Sequence, residues 1–175
     1  MDLFNTARLA IRKLKEYDRS FFKELFTDER VINAVPQIRW SDEIIENKFQ
    51  EHLNLNSTIL ANKSCYWGIY LINSAELIGL CMLLTNNEND RELGYRFRFE
   101  HWGRGYGKET ALGMINFCFA ELRLEKITAD ADINNVASTK ILNKLMHPIK
   151  TFYNAKANCI DRRFELSRKD WESND

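Results

Sequence analysis

The sequence is short of residues that break or punctuate structure. Seven glycines and two prolines in 175 residues exclude collagen-like repeats and leave no low-complexity linker. It also lacks net charge. Lys and Arg total 25, as do Asp and Glu, so no positive field holds a nucleic-acid backbone or an anionic membrane by charge alone. Long hydrophobic runs are missing too. The most apolar stretch, 111–122, is interrupted by Asn116 and Glu121 and falls well short of the roughly 20 residues a bilayer requires. Met1-Asp2-Leu3-Phe4-Asn5 has neither a basic region nor a hydrophobic run, so a cytoplasmic protein is expected. Cys65, Cys81, Cys118 and Cys159 lie 16, 37 and 41 positions apart in apolar or mixed runs, which reads as reduced thiols, not a disulfide framework. His52, His101 and His147 are equally scattered, and no pair has metal-ligand spacing, so no metal is expected.

What is present suffices for a core. Hydrophobic residues make up 45% of the chain and charged residues 29%, and the length suits one domain over 1–175. Alternation over 7–14 predicts a short strand, and Asp18 a helix cap before a helix over 19–26. A loop follows over 32–40, then a helix opening at Ser41. Segments 65–72 and 77–84 predict a hairpin about Asn73-Ser74-Ala75-Glu76, and 91–99 adds a third antiparallel strand. Ala111, Ile115, Cys118 and Leu122, widened by Leu112 and Phe119, make the apolar stripe of a long helix. A strand over 126–133, a helix over 138–145 and two strands around Asn158 complete a mixed α/β (α+β) order.

Between the third strand and the long helix stands Trp102-Gly103-Arg104-Gly105-Tyr106-Gly107-Lys108. Alternating glycines there gather unobstructed N–H groups at a helix N-terminus. The macrodipole and the charges of Arg104 and Lys108 make phosphate or pyrophosphate the natural ligand. It is not a P-loop: Trp102 stands in the first glycine's place and Glu109 where Ser or Thr belongs. Nor is it a dinucleotide fingerprint, since Gly107 follows Gly105 by two positions instead of three.

The run Trp102 to Gly107 resembles the acetyl-CoA loop of the GNAT superfamily of N-acetyltransferases, with Trp102 in the usual Arg/Gln place. Glu92-Leu93-Gly94-Tyr95 through Trp102-Gly103-Arg104-Gly105-Tyr106 is similar to the branch of ribosomal-protein N-terminal acetyltransferases. So are Thr6-Ala7-Arg8-Leu9-Ala10-Ile11-Arg12, Asn135-Val136-Ala137-Ser138 and Phe164-Glu165-Leu166 with Trp171. The resemblance implies a GNAT fold: a mixed, mostly antiparallel sheet of about seven strands, helices on both faces, and acetyl-CoA between two splayed strands. It further implies pantetheine contacts from the backbone of Phe97, Arg98 and Phe99. Pyrophosphate contacts would come from Trp102, Gly103, Arg104, Gly105, Tyr106, Gly107 and Lys108, with Asn135 and Ser138 on the other side.

The acceptor implied is a primary amine, either a protein N-terminus or a small amine, and the chain a monomer or homodimer. Glu92 is the candidate base. The family's tyrosine acid has Leu142 in its place, which leaves Ser138 as the acid candidate, its other reading being a helix N-cap; Tyr153, a remoter acid candidate, reads as a core or rim aromatic, and Cys118 as core. Met146-His147 replaces the family's Gly-Phe, which changes the exit of the helix before Pro148. Arg39, Trp40 and the loop around Pro36 are expected to border the acceptor groove. A CoA-binding sensor without turnover is the alternative, and an unrelated phosphate-binding scaffold ranks below it.

Overall fold

The structure is a computed structural model describing residues 2–54 and 64–173. Its strands are β1 (Asp2–Asn5), β2 (Leu9–Arg12), β3 (Cys65–Leu71), β4 (Leu77–Thr85), β5 (Arg91–Phe97), β6 (Lys126–Asp132), β7 (His147–Asn154) and β8 (Cys159–Ser167). Its helices are α1 (Arg19–Thr27), α2 (Glu29–Ala34), α3 (Asp42–Leu53), α4 (Tyr106–Asn116), α5 (Val136–Leu145) and α6 (Arg168–Glu172). The strands form one sheet in the order β1-β2-β3-β4-β5-β6-β8-β7, antiparallel except where β5 meets β6. This is the mixed architecture expected, with eight strands instead of about seven. The extra one, β1, is four residues folding back on β2, too short for alternation to reveal.

Alternation along the central strands sends side chains into two separate cores. On one face Ile11, Trp67, Ile69, Cys81, Leu83 and Leu93 pack with Met114 and Ile115 of α4 and Leu142 of α5. On the other, Tyr70, Leu77 and Leu80 pack with Phe22, Leu25 and Phe26 of α1 and Ile45 and Phe49 of α3. Each fully buried Leu or Phe contributes roughly 1.5–3 kcal/mol, so both layers hold the sheet. No helix among the described residues is long and apolar enough to cross a membrane.

Local signals fixed most boundaries. Ser41 caps α3 by accepting from the Ile44 amide at 3.3 Å. Asn73, at φ 67°, makes the reversal of the β3–β4 hairpin. Asp18 sits at the start of α1, but its buried carboxylate accepts from the Lys15 amide at 2.7 Å and the Tyr70 hydroxyl at 2.6 Å instead of capping the helix. The loop expected over 32–40 begins as α2, six residues capped by Asp28. The long helix ends in a π-turn, Phe117–Glu121, with Phe119 buried against Trp171; Leu112, in the regular helix before it, is 40% exposed and lies off the buried stripe.

Candidate functional site

A single residue pair, Glu92 and Thr128, registers between β5 and β6 before the strands part. β6 instead pairs along its length with β8. Parted parallel strands leave main-chain groups of 93–97 and 129–132 without each other as partners, a geometry that accepts an extended ligand as a substitute strand. A cavity of about 630 Å³ opens on this split, walled by Glu92 to Arg96, Ala129 to Asp132, Asn135, Ser138 and the Ala34–Gln37 segment.

At the other end of β5 the glycine loop turns into α4. Gly103 and Gly105 both have positive φ, 72° and 79°, a region that costs other residues about 1 kcal/mol or more. Gly105 is the N-cap and has no side chain to accept from the first turn. Helix geometry therefore leaves the amides of Tyr106, Gly107 and Lys108 pointing outward without intrahelical acceptors. Arg104 and Lys108 are exposed beside them. These donors fit a pyrophosphate, and the parted strands fit the arm that follows it in acetyl-CoA.

The loop is held from behind. Glu109 accepts from the Thr6 hydroxyl at 2.6 Å, the Arg8 amide at 2.8 Å and Arg8 Nε at 2.7 Å. Arg8 Nη1 also donates to the Arg104 carbonyl at 3.0 Å, and its guanidinium lies over the Tyr106 ring. Partial burial opposes the Glu109 ion, yet these bonds outweigh it and hold its carboxyl below the usual range. Thr6 and Arg8 were legible only as part of a family-like first strand; their contact with Glu109 crosses about a hundred positions.

The predicted pantetheine contacts are partly engaged within the protein. The Arg98 amide donates to the Ile78 carbonyl, and the Trp102 indole donates to the Phe97 carbonyl at 2.9 Å. The Arg98 side chain lies over Phe21 and pairs with Glu24, Glu76 and Glu100, away from the split. Glu76, Glu100 and His101 stand close enough to share a cation, but Arg98 already lies among those carboxylates.

Glu92 faces Asp130 across the split, and Arg163 clamps Asp130 with two bonds of 2.8 and 2.6 Å. With Arg163 engaged there and with Glu88, burial first and the Asp130 charge second push the Glu92 carboxyl up to about 8. Asp130 and Arg163 are register partners on β6 and β8, a pairing that no local pattern in the sequence encodes.

Ser138 is not the N-cap of α5. Asn135 is, its side-chain Oδ1 accepting from the Ser138 amide at 3.1 Å while its side-chain Nδ2 donates to the Ala34 carbonyl at 2.7 Å. The Ser138 hydroxyl is thereby released to point at the Tyr95 hydroxyl, 3.4 Å away. Tyr95, which burial keeps protonated beyond the usual range, brings a phenol from β5 to the end of the cavity where Leu142 offers none. Tyr153 stands exposed at the rim, bonded to Asn158. Cys118 is core, its thiol pushed up to about 12 by burial. Pro36 and Gln37 line the cavity, but Arg39 pairs with Glu29 and Trp40 stacks on Phe26, both outside its lining. Met146 ends α5 in extended conformation, and exposed His147 begins β7.

Comparison with known proteins gives the class of protein to which this parted sheet and glycine-capped helix belong. The family model described as "Acetyltransferase (GNAT) domain" matches residues 8–145. The chain belongs to this family and is an N-acetyltransferase. An uncharacterized N-acetyltransferase, p20 of Bacillus licheniformis, is 26% identical over 98% of this chain and 99% of its own. A GNAT-family acetyltransferase from Bacillus anthracis superimposes with a TM-score of 0.78 at 20% identity, covering 94% of this chain and 98% of the other. RimL, a ribosomal L7/L12 alpha-N-protein acetyltransferase solved with coenzyme A, gives a TM-score of 0.76 at 11% identity over 95% and 98%.

Proposed function

We propose that the protein, a single domain working in the cytoplasm, transfers an acetyl group from acetyl-CoA to a primary amine, both substrates being bound together. The observation that carries this reading is the acidic cluster around Glu92 at the parting of β5 and β6, in one cavity with Tyr95 and Ser138. Bound acetyl-CoA supplies the activated acetyl group. The amides of 103–108 hold its pyrophosphate, and the free edge of β5, with Asn135 and Ser138 opposite, orients its arm. Orientation of this kind corresponds to effective molarities of about 10⁵–10⁸ M, so it accounts for much of the rate.

Glu92 takes a proton from the acceptor ammonium, directly or through one water, because only the neutral amine has a lone pair to attack with. Its raised pKa suits a base working near pH 8. The hydroxyls of Tyr95 and Ser138 hold the proton that the leaving sulfur needs. Tyr95 is the better donor, since a phenol is a stronger acid than an alcohol.

The test is thiol release from acetyl-CoA over a panel of amines, with wild type beside Tyr95→Phe and Ser138→Ala. Tyr95→Phe lowers kcat about 100-fold while KM for acetyl-CoA stays within about twofold, the pattern of a group acting only in the transition state. Unchanged kcat in Tyr95→Phe removes it from the chemistry, and no thiol release with any amine overturns the reading.

A further inference from the structure

Arg96 is a buried cation in the wall of this cavity with no carboxylate among the described residues paired to it. The residue is 6% exposed. Nη1 donates to the Leu25 carbonyl at 3.1 Å, Nη2 to Gln37 Oε1 at 2.5 Å, and the guanidinium lies over the Phe26 ring. Nε has no partner, and neither has the buried Gln37 Nε2. Among the described residues Tyr66 is the one titratable group acting on it, and burial pulls the guanidinium's pKa down to about 10. An isolated charge in such a place costs several kcal/mol unless something pairs with it.

The Glu92 end of the cavity has the opposite character. Glu92 and Asp130 make it acidic, and Arg163 there is already engaged with Asp130 and Glu88; Asp132 and Asp161 are register partners farther along β6 and β8, and Lys156 also lines the cavity. Glu92 and Arg96 lie on the same phase of β5, with Gly94 between them keeping that face open. Four residues of strand set their Cα atoms about 13 Å apart.

We propose that Arg96 and Gln37 bind a carboxylate of the acceptor, so that the acceptor is a zwitterion with amine and carboxylate several bonds apart: a short peptide or a long ω-amino acid. This rests on the acetyltransferase reading and names the substrate class for the same site. The ammonium goes to the acidic end and the carboxylate to the Arg96 end. A polyamine meets repulsion at Arg96, and an α-amino acid is too short to reach both ends.

The experiment measures kcat/KM for ω-amino acids of increasing chain length and for the tripeptide Ser-Gly-Gly. Each acceptor is compared with its C-terminal amide, in wild type, Arg96→Met and Arg96→Lys, and the Tm of each variant is recorded. In wild type the free carboxylate is preferred at least about 10-fold, the ordinary worth of a charge-assisted bond, with a maximum at intermediate length. Arg96→Met, matched in shape and uncharged, keeps its fold and Tm but treats acid and amide alike; Arg96→Lys restores part of the preference. Equal use of acids and amides by wild type, or a preference that survives in Arg96→Met, overturns the carboxylate site while acetylation stands. A loss in Arg96→Met equal for acids and amides assigns the residue to packing alone and also overturns it. If no amine in the panel releases thiol, the acetyltransferase reading fails, and the carboxylate site falls with it.

Discussion

Glu92→Gln is expected to stabilise the protein in alkaline solution and to leave it unchanged in acid. Burial and the neighbouring Asp130 raise the native carboxyl from its ordinary 4.5 to about 8. A carboxyl raised in the native state favours folding in its neutral form. That contribution is fully present below about pH 4.5, declines between 4.5 and 8, and is gone above 8. The bound on the loss is on the order of 5 kcal/mol at 1.36 kcal/mol per pH unit. Sharing of the proton with Asp130 and local relaxation reduce it, and a loss of about 2 kcal/mol already suffices for detection. Glutamine cannot ionise and escapes the decline. For a chain of this length 2 kcal/mol is about 4–8 °C in Tm. Thermal unfolding of wild type and Glu92→Gln at pH 5, 7 and 9 measures the difference, in which the titration of all other groups largely cancels. The Tm advantage of the variant is near zero at pH 5 and grows to about 4–8 °C at pH 9. A difference independent of pH refutes the reasoning, because it means Glu92 ionises in the folded protein as it does in water.

The same carboxyl sets the pH dependence of catalysis: wild-type kcat/KM rises with pH and levels off above about 8, and an activity already flat from pH 6 removes Glu92 as the base. Glu109→Gln weakens the bonds from Thr6 and Arg8 that hold the loop. Steady-state kinetics then give a KM for acetyl-CoA raised about 10-fold with a smaller effect on kcat, whereas a change in Tm alone makes the clamp purely structural. Gly105→Ala forces a Cβ into a φ of 79°, 3.4 Å from Arg8 Nη2. It costs about 1–2 kcal/mol by denaturant unfolding and weakens CoA in calorimetry, and unchanged affinity separates the loop from the ligand.

Much of the sheet was legible because its signals are local. Asn73-Ser74 between two apolar runs is a hairpin wherever it stands, and three glycines before an amphipathic stripe announce a helix with an open N-terminus. Short elements were not. Glu29–Ala34 is a single turn and a half whose cap, Asp28, follows α1 directly, so the two helices read as one followed by a loop. The π-turn at Phe117–Glu121 interrupts the regular helical period at the C-terminal end of the stripe, which spacing alone does not announce.

The site divides in the same way. Glu92 and the loop 102–108 carry their pattern in consecutive residues. Asp130 opposite Arg163, Asn135 reaching Ala34, Arg96 reaching Gln37 and Glu109 reaching Arg8 are joined by register and packing across tens of positions. One signal was available for Arg96: an arginine on the same strand phase as Glu92, where a strand between two helical layers has no water to offer it.

The most direct measurement is a calorimetric titration of acetyl-CoA into the purified protein, with ATP and NAD⁺ as controls, followed in the same cell by an amine panel and thiol detection. We expect selective binding of acetyl-CoA and thiol release when an acceptor is added. Binding no tighter than that of ATP or NAD⁺ contradicts the assignment of the loop at 102–108, and with it the acetyl-transfer chemistry built around Glu92.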